Sequence, residues 1–188
     1  MDTLNTIFTR QSIAEVKPDP VSHEIIEQLL SAAVQAPNHY KVRPWRFVVL
    51  TGTGREKLGE VIAQSFAEKF PQVPASALDK ERAKPLRAPL LIAVGVDKPS
   101  EPKVLEIENI CAAAAAVENL LLAANELGLA AKWRTGEEAR DPRVKLFLGF
   151  APDQQIISFV YIGFPSFEPP AITRPGFEDR TVWMEYDP

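Results

Sequence analysis

The stretch Ser31–Leu50, SAAVQAPNHYKVRPWRFVVL, joins two kinds of element through one polar loop. Its first residues close a helix of small side chains, and Pro37 stops it, because proline disfavours helical backbone in the residue before it. Pro44-Trp45 then leads into Phe47–Leu50, an aromatic and β-branched run of strand character. Between them stand Asn38, His39, Tyr40, Lys41 and Arg43. Loops held between packed elements are where binding groups concentrate. An exposed, solvated loop explains the same residues without any ligand.

Working outward, helical and extended patterns alternate. Leu4, Ile7 and Phe8 mark a short first helix, and Ser22 can cap a second with the apolar face Ile25, Ile26, Leu29, Leu30 and Ala33. Arg46–Thr51 reads as a strand, Arg55–Phe70 as a helix and Ser76–Ala83 as a short polar helix. Pro89–Val96, PLLIAVGV, is continuously apolar, as expected of a central strand buried on both faces. Val104–Leu127 is the longest helix, apolar around much of its circumference, so it is buried on several sides or packs across a subunit interface. Ala130–Arg134 and Ile156–Ile162 are strands, and Asp141-Pro142 is a cap and first-turn pair for a helix ending near Leu148. About four strands among five or six helices predict a three-layer α/β or α+β architecture. No boundary divides residues 1–188, and 163–188 reads as an extended, proline-rich tail.

Bulk properties narrow the function. The 188 residues carry a formal net charge of -4 with no Lys/Arg-rich block, so nucleic acid is not an expected partner. No apolar run of about 18 residues and no signal peptide is apparent, so no membrane association is expected. The single cysteine, Cys111, lies in an alanine-rich run and reads as a buried structural thiol in a reducing, cytoplasmic setting. Two histidines without metal-ligand spacing give no protein-held metal. Gly52-Thr53-Gly54-Arg55 lacks the rest of a phosphate loop and reads as an ordinary turn.

Three polar segments remain. Arg10-Gln11-Ser12 could meet a phosphate, with a bidentate guanidinium and a hydroxyl. The second is 35–43. Trp133-Arg134-Thr135-Gly136 leaves a strand at its carboxyl end, where ligands of α/β proteins collect. Solvated termini and loops account for each segment taken alone.

Set in order, Arg10-x-Ser12, Ala36-Pro37, Pro44-Trp45-x-Phe47, Arg87-Ala88-Pro89, Glu118-Asn119-x-x-x-Ala123-Ala124 and Leu127-Gly128-Leu129 resemble the nitroreductase family of FMN-dependent oxidoreductases, over roughly residues 5–165. The short length and Trp133–Gly136 resemble its minimal-sized branch. The resemblance implies an α+β, three-layer fold with a central mixed sheet flanked by helices, in an intertwined homodimer with FMN at the subunit interface. It implies that Arg10, Gln11 and Ser12 lie around the ribityl phosphate, and Trp133, Arg134 and Thr135 beside the isoalloxazine ring. Gln35 and His39 would reach the flavin held mainly by the other subunit. The implied activity is NAD(P)H-dependent and ping-pong, with hydride passing through flavin N5 to a nitro compound, quinone or similar acceptor, and no protein acid or base needed. Reduced flavin bears negative charge, which Lys41, Arg43 or Arg134 could stabilise. Ala14 stands where many members have lysine, and Lys41 and Arg43 replace the usual amides before Pro-Trp, which bears on substrate preference. Two other readings stay open: a flavin-binding sequestration or sensor protein of the same fold, and a non-flavin dimeric interaction module.

Overall fold

Strand β2 (Leu90–Val96) organises the molecule. The computed structural model describes residues 2–184; Met1 and 185–188, part of the expected domain and tail, lie outside the described residues. β2 pairs antiparallel with β1 (Trp45–Leu50) on one side and with β4 (Gln155–Gly163) on the other, and β4 pairs antiparallel with β3 (Ala130–Arg134), giving the order β1-β2-β4-β3. Every pairing among these four strands is antiparallel, where a mixed sheet is expected; the parallel contact is an isolated bridge of Ser12, outside the strands, to Ala131.

Both faces of β2 are covered, which is why its sequence is apolar without alternation. Leu90, Ile92 and Val94 are fully buried against α2 (His23–Ala33) and α5 (Glu106–Glu126). Leu91 and Ala93 face Leu58 and Ile62 of α3 (Gly52–Lys69) and Val144 of α6 (Pro142–Phe147). The result is a three-layer α+β arrangement. Truncating a fully buried leucine such as Leu29 or Leu120 to alanine costs about 2–5 kcal/mol. Two short helices, α1 (Thr3–Thr9) and α4 (Ala75–Arg82), pack on α5 and α3 respectively.

Local signals act as their chemistry requires. The Ser22 hydroxyl accepts from the Ile25 N–H and starts α2. The Asp141 carboxylate accepts from the Arg143 and Val144 N–H groups ahead of Pro142 and starts α6. Gly52 turns the chain out of β1 with φ of 45°, so α3 begins there and absorbs the Gly-Thr-Gly-Arg turn. Later, α3 and α4 approach so closely that a Cβ on Gly59 would overlap the Arg82 carbonyl.

On α5 the expectation about apolar length is refined and the one about Cys111 is corrected. Its 21 residues, with mean hydropathy 1.4 over an 18-residue window, are long and apolar enough to cross a membrane by length and composition. The alanines produce this value although no unbroken apolar run is visible. Its inner face is nevertheless core: Ala113, Ala116, Val117, Leu120 and Ala124 are fully buried. Cys111, expected to be buried, is exposed, because it lies on the outer face with Ile107 and Ala115.

Candidate functional site

The site forms along the outer edge of β3. After α1 the chain passes beside that strand, with Ser12 bridged to Ala131 and the Ile13 N–H donating to the Ala131 carbonyl at 3.1 Å. Residues 10–12 and 133–135, far apart in sequence, are thereby brought to one edge. Among the described residues nothing pairs with this edge beyond Ala131. Strand alternation that aims the Ala131 carbonyl at Ile13 aims the backbone groups of Trp133 outward as well. An unpaired donor and acceptor at a strand edge suits a flat heterocycle with its own amide-like groups.

The side chains at this edge are fixed in unequal ways. The Trp133 indole N–H donates to the Ile157 carbonyl at 3.0 Å, and the Thr135 hydroxyl donates to the same carbonyl at 3.0 Å. Both side chains thus brace β3 against β4, leaving backbone and indole face for a ligand. Gln11 donates its amide to the Pro170 carbonyl at 2.8 Å and so holds the tail. Arg10 lies 3.3 Å from Glu118 of α5 and is mostly buried. Arg174 of the tail donates to the Phe8 carbonyl at 3.1 Å and to the Arg10 carbonyl. Two guanidinium-bearing residues therefore converge beside the exposed Ser12.

On the opposite face of β3 the chain forms a concavity of about 310 Å³, lined by Ala14, Glu15, Val16, Arg87, Lys132, Arg134 and Tyr161. Lys132 and Arg134 share this face by the two-residue period of a strand, and Lys132 stands opposite Tyr161 in register. The Arg134 guanidinium lies 5.9 Å from the Tyr161 ring centroid. Arg87 reaches in from a turn held by the Arg55 guanidinium, which donates to the Ala88 carbonyl at 2.6 Å, and by Lys84, 2.6 Å from Glu81. No carboxylate among the described residues lies within ion-pair distance of Arg87, Lys132 or Arg134, although Glu15 lines the same concavity. Burial pushes the Tyr161 phenol up to about 12, with Glu138 adding to the rise and Arg87 and Arg134 opposing it. The phenol stays protonated at working pH and can donate a hydrogen bond there.

Gln35 and His39 do not reach this edge within the chain. Gln35 lines a groove with Asn119 and Leu122, and His39 a second groove with Ile107 and Cys111, both along the outer face of α5. His39 Nε2 lies 3.9 Å from Glu108. Lys41 and Arg43 are exposed on the loop beyond and contribute nothing to the β3 concavity, which leaves Arg134 as the one sequence-proposed cation present there. Sequence reasoning does not single out Lys132, Tyr161 or Arg87 for chemistry. The signal for Lys132 is a charge inside the short apolar strand AAKWR.

The class of protein follows from this fold and from comparison. The model described as "Nitroreductase family" matches residues 7–164, and the chain belongs to that family. A relative named "Putative NAD(P)H nitroreductase YdjA", from Escherichia coli strain K12, is 31% identical over 186 residues, covering 99% of this chain and 100% of its own. A nitroreductase-like family protein from Bacillus cereus superposes with a TM-score of 0.85 at 25% identity, covering 98% of this chain and 97% of its own. A nitroreductase from Bacteroides fragilis, solved with bound FMN, shares the fold at a TM-score of 0.74 and 23% identity, covering 98% of this chain and all of its own.

Proposed function

We propose that this chain is an FMN-dependent NAD(P)H oxidoreductase working as a homodimer, with its flavin along the β3 edge. The carrying observation is the juxtaposition of two cationic groups across one unpaired strand edge: Arg10 with Arg174 on the α5 side, and Arg87, Lys132 and Arg134 on the other. That donor set fits FMN chemically. The phosphate is a doubly charged group suited to Arg10, Arg174 and the Ser12 hydroxyl. The ring system offers amide-like edges to the Trp133 backbone and a flat face to the indole. FMN would supply reversible hydride acceptance at N5, which removes any need for a protein acid or base at the substrate. Arg134 and Lys132 would hold negative charge that develops on the pyrimidine side, in a recess from which Ala14 withdraws the lysine common in the family. Tyr161 would remain a neutral donor to the same region. NAD(P)H and a nitro compound, quinone or similar acceptor would occupy one position in turn, a ping-pong order.

The homodimer is supported by what α1 and α5 leave uncovered. Leu4, Ile7 and Phe8, beside the last turn of α5, are 64%, 43% and 67% exposed, and Ile107, in its first turn, is 59% exposed, so large apolar side chains stand uncovered at both ends of this helix. Gln35 and His39 flank that surface, so a second copy seated on it brings them toward the partner's flavin.

The test is a spectrum and a reduction. The purified protein should be yellow or take up added FMN, and should bleach rapidly with NADH or NADPH under anaerobic conditions. A colourless protein that refuses FMN sinks the proposal. A yellow protein that bleaches only over many minutes supports a sequestration or sensor role instead.

A further inference from the structure

The loop after α2 holds three residues in a conformation their side chains resist. Tyr40, Lys41 and Arg43 have φ of 49°, 56° and 51°, and they are the non-glycine residues with positive φ among those described. The left-handed region crowds Cβ against the following carbonyl, a penalty glycine escapes. The loop contains no glycine, and Asn38, the residue type there that tolerates this region best, has φ of -151°. The conformation is enforced from both sides. Asn38 Oδ1 accepts from the Arg43 N–H at 2.9 Å, the His39 carbonyl accepts from the Val42 N–H at 3.2 Å, and buried Pro44 and Trp45 anchor the exit. Strain of this kind gathers at ligand clamps and is kept when the side chains are required.

Those side chains share a chemistry. Lys41 and Arg43 are exposed and, among the described residues, have no carboxylate partner, in a chain of net charge -4. The nearby acids are engaged elsewhere: Asp97 takes Arg46 at 2.9 Å, and Glu108 faces His39. The Tyr40 ring is 57% exposed and stands edge-on to His39 at 4.4 Å between centroids. A point cation, a planar guanidinium and a free aromatic face within four residues match a purine nucleotide carrying a phosphate monoester.

We propose that Lys41 and Arg43, with the Tyr40 ring, recognise the adenosine 2′-phosphate of NADPH and give this chain a preference for NADPH over NADH. The proposal rests on the oxidoreductase reading above. His39, which opens the loop, lies on the surface assigned to the second copy, so the clamp stands at the mouth of the partner's flavin site and within reach of a nucleotide whose nicotinamide lies on that flavin.

The test uses the FMN-loaded protein and Lys41→Gln, Arg43→Gln and the double variant. The ratio of kcat/KM for NADPH to that for NADH should fall about tenfold per site, the factor expected for one charge-assisted hydrogen bond to phosphate. Competitive inhibition by 2′,5′-ADP should weaken in parallel, while 5′-AMP is unaffected. Lys41→Gly and Arg43→Gly should lose the same preference yet melt no lower than the wild type, because relief of left-handed strain offsets the added freedom of the unfolded chain. An unchanged ratio in the double variant, equal loss for both nucleotides, or glycine variants that melt several degrees lower overturns the proposal. Binding of 2′,5′-ADP measured calorimetrically needs no flavin chemistry, so a protein that binds it tightly but holds no FMN refutes the oxidoreductase reading and keeps the clamp.

Discussion

Replacing Asp141 is expected to loosen the segment that leaves the candidate site, and the structure gives the size of the effect. Asp141 is 5% exposed in its side chain, closes the turn Glu137–Arg140 that follows β3, and starts α6. One carboxylate oxygen accepts from the Ser65 hydroxyl and from Lys69 at 2.5 Å; the other accepts from the Arg143 N–H at 2.9 Å and the Val144 N–H at 3.4 Å. The helix cap is worth about 1 kcal/mol. The buried hydrogen bond from Ser65 to a charged acceptor is worth about 1.5–3 kcal/mol. Lys69 is half exposed, so its ion pair adds well under 1 kcal/mol. Asp141→Asn keeps a capping oxygen and should cost about 2 kcal/mol, while Asp141→Ala should cost about 3 kcal/mol. For a domain of this size these losses lower Tm by about 4–8 °C and 6–12 °C.

The pH dependence follows from the same hydrogen bonds. Burial alone would raise the Asp141 carboxyl, but Lys69, Ser65 and the Arg143 N–H together hold it below the usual carboxylate range. A depressed folded pKa contributes stability that is present above the unfolded value, near 4, and disappears as pH falls through the folded value. Melting curves of wild type and Asp141→Asn from pH 7 to pH 3 should therefore converge toward the acid end. A Tm change under about 1 °C at pH 7, or a gap that stays constant down to pH 3, would refute this account.

Replacing Arg134 with Gln should lower the two-electron potential of bound flavin by about 30–60 mV, the equivalent of removing one charge-assisted hydrogen bond; an unchanged potential in a dye-coupled titration removes Arg134 from that role. Ile107→Glu and Phe8→Glu, on exposed positions, should give a folded monomer by light scattering, release FMN, and speed the reaction of Cys111 with a thiol reagent. A wild-type monomer that retains FMN and reacts equally fast contradicts the shared site. Tyr161 is raised above its unfolded pKa, so its stability contribution is complete below pH 10 and is lost as pH rises toward 12. Tyr161→Phe should then resist alkaline unfolding better than the wild type, as followed by circular dichroism.

Elements governed by local chemistry can be read from the chain. The Ser22 and Asp141 caps, the doubly buried run of β2 and the long α5 each announce themselves through neighbours within a few residues. The two cationic groups cannot be read in that way. Lys132 meets Tyr161 only through the register of β3 on β4, and Arg87 joins them only because the turn before β2 ends over that face. Arg174 finds the Arg10 carbonyl across 164 residues of sequence. Cys111 misleads because an alanine-rich helix looks alike on every side, and composition does not say which side its own chain covers. The left-handed Tyr40, Lys41 and Arg43 give no sign, since none is a residue type that prefers that conformation.

The clasp between Pro170–Arg174 and Phe8–Gln11 also orders events in time. On the ribosome, the segment proposed to hold the phosphate emerges before any strand of the sheet, and the groups that fasten it emerge after every strand has been made. Nascent chains can therefore close the sheet and both apolar layers while this end is still loose. Fastening of the ligand-holding edge then follows closure of the sheet within each chain, and a chain arrested before residue 170 would carry a finished sheet beside an unfinished site.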